Sequence, residues 1–504
     1  MWRFAEPLPA DIEPGLREIA RAFPERFAEA SEPLNLHFRR DETHPRRWRA
    51  ERHGPEAVIH YSRPGDAFRA LGSLMGEAIE KSPLPAREEA CAMERLGVMI
   101  DASRNGVPTV STVCALIRSF ALLGINWLML YTEDTYEVPG EPLFGYFRGR
   151  YSAAELGEID RYAARFGMEV IPCIQTLGHL GQLLRWPAYA GLRDTAEVLL
   201  AENDATYKLV EKMLAAANAP FRSRRIHIGM DEADGIGTGR YRLLNGVRTP
   251  FQILASHLTT VAESCRRLDL QPMIWSDMYF RLGSKANHYY DRDSSIPQEI
   301  GDAIPDNIDL VYWDYYHLDE SFYEEWIRRH RALGKEPLFA AGIWSWSRFW
   351  TALPHTFATL DAGMRAACRA GVREAFATVW GTMGWSAISF PFSPAWPVSR
   401  TWPMDGLTPR RFRFAERRAS IWTIGLRAAA SIGCPASAAM NARAAISASG
   451  CSGPIRSSIS SAAISLRMPS NITRISQLAS ARSRPASPPR AGSHFPHWWL
   501  KRSR

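Results

Sequence analysis

The stretch Arg225-Ile226-His227-Ile228-Gly229-Met230-Asp231-Glu232 is a short apolar run that closes on two adjacent acids. Similar apolar runs, each ending in polar or aromatic residues, recur at 96–102, 127–132, 169–175, 272–277, 308–315, 337–344 and 374–380. Between them lie longer segments with helical periodicity. In 153–166, for example, Leu156, Ile159, Tyr162 and Ala163 follow the cap-like Ser152, and 195–217, 251–268, 321–333 and 356–370 read the same way. Short β runs alternating with amphipathic helices bury a parallel sheet under helices. Eight such units predict a closed (β/α)8 TIM barrel over 91–380. Residues 1–90 read as a separate small α/β domain, with an amphipathic stretch near 16–23, an extended run at 57–61 and a helix near 67–79.

The chain has 504 residues, 46% hydrophobic and 23% charged, which suits a soluble protein with a large core. Its formal charge of +8 at face value points to nucleic acid or an anionic surface. Residues 381–504, however, carry 16 Arg and 1 Lys against Asp405 and Glu416, a surplus of +15 that leaves the first 380 residues at −7. All 16 tyrosines precede this segment, while Ser, Ala, Arg and Pro crowd it. It reads as an irregular, disordered basic tail. Arginine without lysine, without interleaved aromatics and without a recognition motif argues against a nucleic-acid partner.

No membrane partner is expected either, because Pro391, Pro394 and Pro397 interrupt the longest uncharged stretch, 375–399. The start, Met1-Trp2-Arg3-Phe4-Ala5-Glu6-Pro7, places an acid and a proline where a signal peptide needs an apolar centre, so a cytoplasmic location is expected. Seven cysteines are scattered without a CxxC pair and read as free buried thiols. No metal site or cofactor is expected.

In a TIM barrel, chemistry gathers at the carboxyl ends of the strands. Asp231 and Glu232 stand there, and adjacent residues leaving a strand point opposite ways. Such a pair suits divided labour, one protonated acid for a leaving group and one ionised carboxylate for orientation and charge. By itself the dipeptide also reads as a solvated loop; its place at a strand end favours the chemical reading. Trp275, Trp313, Trp344, Trp346 and Trp380 end or nearly end strands five to eight, and indole faces can stack on the apolar faces of sugars.

The run 225–232 resembles the His-x-Gly-x-Asp-Glu signature of glycoside hydrolase family 20, the β-N-acetylhexosaminidases. Leu130-Tyr131-Thr132-Glu133-Asp134-Thr135-Tyr136-Glu137 is similar to the hexosaminidase D branch of that family. Further matches are Asp101-Ala102-Ser103-Arg104, Gln175-Thr176-Leu177-Gly178-His179 and Val311-Tyr312-Trp313-Asp314-Tyr315-Tyr316, in order over 95–380, and the first 90 residues resemble the small domain preceding the family's barrel. The resemblance implies a substrate-assisted retaining exo-hydrolase acting on an oligosaccharide or glycoconjugate with terminal N-acetylglucosamine or N-acetylgalactosamine. It casts Glu232 as general acid and then base, and Asp231 as the carboxylate holding the 2-acetamido N–H. His179 becomes the support of the acid through Glu133 or Asp134. Arg104 grips sugar hydroxyls bidentately, with Glu133 and Asp134 in the same sugar-binding group, and Tyr315 donates to the acetamido oxygen.

One motif departs from the pattern. Where the branch runs from Val-Trp-Gly into Asp-Asp-Gly-x-Glu, this chain reads Val379-Trp380-Gly381-Thr382-Met383-Gly384-Trp385-Ser386-Ala387. The acids are missing at the point where the composition changes. A single deleted base converts codons for Gly-Asp-Asp-Gly-Val-Glu-Cys into Gly-Thr-Met-Gly-Trp-Ser-Ala. An out-of-frame reading also accounts for the Arg, Ser, Ala and Pro excess and the missing tyrosines. On this hypothesis the chain as written keeps its catalytic pair but loses stability and activity; resequencing that confirms the base count, with no acidic helical continuation in the other frame, would refute it. The competing reading is a catalytically silent sugar-binding relative.

Overall fold

The computed structural model describes residues 1–381 apart from 28, 30, 77–86, 105 and 349–350. The basic segment expected to be disordered, with the altered motif from Thr382 onward, lies outside the described residues, as do Cys434 and Cys451. The first strands form a five-stranded sheet in the order β1-β2-β4-β3-β5: β1 (Trp2–Phe4), β2 (Leu34–Arg40), β3 (Arg47–His53), β4 (Glu56–Tyr61) and β5 (Arg87–Ala90). β1, β2 and β4 run parallel, and β3 lies antiparallel between β4 and β5. β4 alternates buried Ala57, Ile59 and Tyr61 with partly exposed neighbours, the period of a sheet covered on one face. The helix Pro64–Met75 packs against this sheet and against the barrel helix Val110–Leu122.

Eight parallel strands then close a TIM barrel: β6 (Arg95–Asp101), β7 (Trp127–Tyr131), β8 (Glu169–Cys173), β9 (Arg225–His227), β10 (Gln271–Trp275), β11 (Asp309–Trp313), β12 (Leu338–Gly342) and β13 (Glu374–Val379). β13 pairs with β6 over six residues, from Glu374 opposite Arg95 to Val379 opposite Ile100, which closes the ring. Alternate residues point inward: Met99, Trp127, Met129, Tyr131, Ile171, Cys173, Met273, Trp275, Val311, Trp313, Ala340 and Phe376 fill the interior. Their strand neighbours, such as Val98, Leu128, Val170 and Leu310, face the helices. A barrel interior packed by large side chains is a solid core, so ligand access is confined to the loops at its ends.

The helices start where local chemistry sets them. Ser152 and Glu155 form a capping box before Ala153–Ala164, and Thr249 with Gln252 forms another before Pro250–Arg267. The helix expected over 195–217 begins later, as Asp204–Asn218. Asn203 caps the amides of Ala205 and Thr206, while the preceding chain folds back in an Arg193–Leu199 bridge. β9 likewise stops at His227, short of the 225–230 run, because Gly229 and Met230 turn to φ of +72° and leave the ladder. Among the described residues five cysteines are free, four of them buried, and no helix is long and apolar enough to cross a membrane.

Candidate active site

Asp231 and Glu232 stand where β9 ends, on a stretch of unusual backbone. Gly229, Met230 and Glu232 all have positive φ, +72°, +72° and +45°, and so does His179 across the seam at +53°. Left-handed conformations cost non-glycine residues about 1–3 kcal/mol each and persist where surrounding contacts over-determine them. Here the contacts are visible. Gln175 accepts the Met230 N–H through Oε1 (3.1 Å) and donates through Nε2 to Asp231 Oδ1 (2.6 Å) and the Tyr131 hydroxyl (2.9 Å). Residue 229 must be glycine, since a Cβ there would lie 2.0 Å from Gln175 Oε1.

The two acids leave in different directions into different surroundings. Asp231 is buried; its Oδ2 lies 3.2 Å from His179 Nε2. Burial alone would raise its pKa, but the charge and hydrogen bond of His179, with Gln175, hold it below the ordinary carboxylate value. The Glu232 side chain is 40% exposed, with Oε2 3.4 Å from the same imidazole nitrogen. Burial works against charge on His179, yet Asp231, Glu232 and Glu133 outweigh it and raise the imidazole to about 11. The imidazolium is therefore a fixed cation between the two acids. His227, beneath them, is fully buried, pushed down to about 3 and neutral, with Nδ1 accepting the Gly229 N–H.

Two further residues reach Glu232. The backbone N–H of Glu232 donates to Asp277 Oδ2 (3.1 Å), and the Tyr289 hydroxyl donates to Glu232 Oε1 (3.0 Å). Burial first, and then the charge of Asp231, push Asp277 up to about 8. Neither residue could be singled out by sequence spacing: Asp277 only closes the fifth apolar run, and Tyr289 sits in a polar loop. Gln175 was visible only as part of a motif.

Arg104 occupies the opposite wall. Its Nη1 meets Asp101 Oδ2 (3.0 Å), its Nη2 lies 3.4 Å from Glu133 Oε1, and its guanidinium stacks 5.2 Å over the Tyr131 ring and 5.0 Å over the Trp380 ring. Asp101 also accepts the Gly381 N–H (2.9 Å), so the last described residue is tied to this wall. Glu133 is buried and pushed up to about 7, with Arg104 pulling the other way. The expected pairing of His179 with Glu133 or Asp134 is corrected. The imidazole touches Asp231 and Glu232, Glu133 acts on it only through space, and Asp134 is buried against Arg148 at 3.1 Å, where a sugar cannot reach its carboxylate.

The aromatic residues divide. Trp275 is 1% exposed and belongs to the top interior layer beneath the site, packed on His227, Phe376 and Trp380; as an open stacking face it is a correction. Strand-end position does not separate an inward indole from one facing a pocket. Trp313 stacks on Tyr315 (5.1 Å between centroids), whose ring lies on Gly342, where a Cβ would come within 2.5 Å. The Tyr315 hydroxyl accepts the Trp380 indole N–H at 3.2 Å. Trp344 and Trp346 stack at 4.6 Å and are partly buried. The residues proposed from sequence thus gather at one barrel mouth, with the Asp134 carboxylate taken up by Arg148 and Trp275 buried beneath the site. Among the described residues no group of three His, Cys, Asp or Glu side chains could hold a metal ion.

Residues 95–290 match the family described as glycosyl hydrolase family 20, catalytic domain. The chain is 28% identical over 248 residues to hexosaminidase D of Homo sapiens, covering 47% of this chain and 49% of the human protein. The chain thus spans about half the length of that relative. Among solved structures, the N-acetyl-β-hexosaminidase of Streptomyces plicatus superposes with a TM-score of 0.61 at 16% identity, over 83% of this chain and 89% of that one. The exo-β-N-acetylglucosaminidase of Vibrio harveyi does so with 0.60 at 13%, over 83% and 72%. At these identities the likeness is one of fold.

Proposed function

From the match of residues 95–290 to the glycosyl hydrolase family 20 catalytic domain and the likeness to hexosaminidase D, we propose that the protein is a member of that family and an exo-β-N-acetylhexosaminidase. It removes terminal N-acetylglucosamine or N-acetylgalactosamine from an oligosaccharide or glycoconjugate by substrate-assisted retaining hydrolysis. The observation that carries this reading is the unequal setting of the two adjacent acids. Asp231 is buried, with Gln175 and His179 on its two oxygens, whereas the Glu232 side chain is 40% exposed. In the first step Glu232 gives its proton to the glycosidic oxygen as the substrate's acetamido oxygen attacks C1, and the C1–O bond to the leaving group breaks. The amide nitrogen becomes positive beside the Asp231 carboxylate, a charge placed in advance and so favouring the transition state more than water would. In the second step water attacks C1, its proton passes to Glu232, and the acetamido group is restored. Arg104, fixed by Asp101 and Glu133, presents the guanidinium for outer sugar hydroxyls.

The test is hydrolysis of nitrophenyl N-acetyl-β-glucosaminide and N-acetyl-β-galactosaminide by the full chain, with Glu232→Gln as control. Failure of both this chain and one restored to the other frame from Gly381 to turn over either substrate, or a Glu232→Gln variant as active as its parent, would sink the reading. The second reading, a sugar-binding relative without turnover, is favoured by the missing acids after Trp380. A chain in which Gly-Asp-Asp-Gly-Val-Glu-Cys and the other frame replace the sequence from Gly381 is expected to gain at least tenfold in kcat/KM over the chain as written, taking ~1.4 kcal/mol per tenfold. Equal activity of the two chains would remove the frame hypothesis.

A further inference from the structure

We propose that Tyr289, backed by Arg281 and Asp234, is a positioning residue for Glu232, fixing the orientation of the carboxyl group that acts as acid and then as base. The proposal rests on the hydrolase reading above and adds a three-residue brace to it. Tyr289 donates its hydroxyl proton to Glu232 Oε1 (3.0 Å), and the same hydroxyl oxygen accepts Arg281 Nη1–H (3.0 Å). The guanidinium also lies over the Tyr289 ring, 5.1 Å from its centroid, and is ion-paired to Asp234, two residues beyond Glu232. The ring is wedged against Trp313 (5.3 Å), so the hydroxyl has little freedom to turn away.

The pieces come from three places: Asp234 from the loop after β9, Arg281 from the helix Asp277–Gly283 after β10, and Tyr289 from the loop that follows it. A cation donating to a phenol oxygen makes the phenol O–H a stronger donor, because successive hydrogen bonds polarise one another. A stronger donor at Oε1 holds the carboxyl group more firmly in one orientation. Glu232 is thus held from both sides, Oε1 by Tyr289 and Oε2 by His179. The remaining charged or titratable groups around it are Asp231 beside it, Asp277 beneath its backbone N–H, and Tyr316 from the loop after β11. Tyr289 is the neutral donor among them, so its loss changes hydrogen bonding to Glu232 without removing a charge.

The experiment uses the full chain with glutamate carboxyl carbons labelled, the Glu232 signal being identified by its absence in Glu232→Gln. In Tyr289→Phe, which removes one hydroxyl and keeps the ring, the Glu232 carboxyl signal is expected to move from its wild-type position at a fixed pH, because the hydrogen bond to Oε1 is lost. Arg281→Met should move it the same way by less, and the double variant by no more than Tyr289→Phe alone. With nitrophenyl N-acetyl-β-glucosaminide as substrate, kcat should fall more than KM changes. A Glu232 signal that stays in place in both single variants overturns the proposal, even if activity drops in proportion to folded protein. Should Tyr289→Phe not fold, Arg281→Met decides alone. The spectrum needs no turnover, so an inactive chain leaves this test standing.

Discussion

At the floor of the barrel, five strands begin with charged residues: Arg95 in β6, Glu169 in β8, Arg225 in β9, Asp309 in β11 and Glu374 in β13. At the rim, Asp101, Glu133, Asp231, Glu232 and Asp277 gather around Arg104 and His179. On the floor four of the five are paired, Arg225 meeting Glu374 at 2.6 Å and Arg95 pairing with Glu169 and reaching Glu374 at 3.8 Å, while the pKa of Asp309 is raised by burial. On the rim carboxyls crowd, and two are pushed up, Glu133 to about 7 and Asp277 to about 8, each by burial first and a neighbouring acid next, in Glu133's case against the pull of Arg104. The same residue types therefore do opposite work. Paired charges anchor the strands, whereas the crowded, buried acids of the rim keep their protons to higher pH.

The largest break in that comparison is at the rim. Glu232→Gln keeps the shape and removes the transferable proton, so kcat on a nitrophenyl N-acetylhexosaminide should fall about 10²–10⁴-fold. Urea denaturation should show little change, because the side chain is 40% exposed. On the floor the expected result is reversed. Glu374→Ala leaves Arg225, whose side chain is 9% exposed, without its carboxylate, and should cost about 3 kcal/mol of stability. Turnover per folded molecule should stay at the wild-type level; a fall in kcat with unchanged stability would show that the two ends are not separate.

The rim also sets a pH dependence of stability. Glu133, Asp277 and His179 all have folded-state pKa values above their ordinary ones, at about 7, 8 and 11. Each binds its proton more tightly folded than unfolded, so its contribution is complete below the unfolded pKa and is lost as pH rises through the folded one. Asp231 is lowered and contributes in the other direction, above its unfolded value and lost on acidification. The urea midpoint should therefore decline gradually from pH 5 to pH 9, and His179→Phe should flatten the upper part of that decline. A midpoint that climbs over this range would contradict the rim electrostatics.

Much of the fold was legible because the eight runs are continuous, apolar and separated by capped helices. Each of the eight barrel strands falls within or one residue outside its expected run, whereas β1, β2, β3 and β5 of the first sheet were not expected. The misplaced boundaries share one cause, backbone satisfied by side chains rather than by repetition: Asn203 starting a helix late, Gln175 bending the chain out of β9 early. At the site, Asp231, Glu232, His179 and Arg104 were legible from their motifs. Tyr289 and Asp277 were not, since only tertiary packing brings the loop near residue 289 and the helix at 277 against β9. Asp134 and Trp275 show the converse, residues at the expected strand ends whose side chains are committed to Arg148 and to the barrel interior.

The contact between Gly229 and Gln175 has a consequence for how this sequence can vary. Every replacement of Gly229 introduces a Cβ into the space of the amide that binds both Met230 and Asp231. There is accordingly no one-step neutral neighbour at this position. A lineage could leave it only through a paired change at 175 and 229, passing a variant whose Asp231 has lost its orientation, which makes this pair a lock on the inheritance of the site.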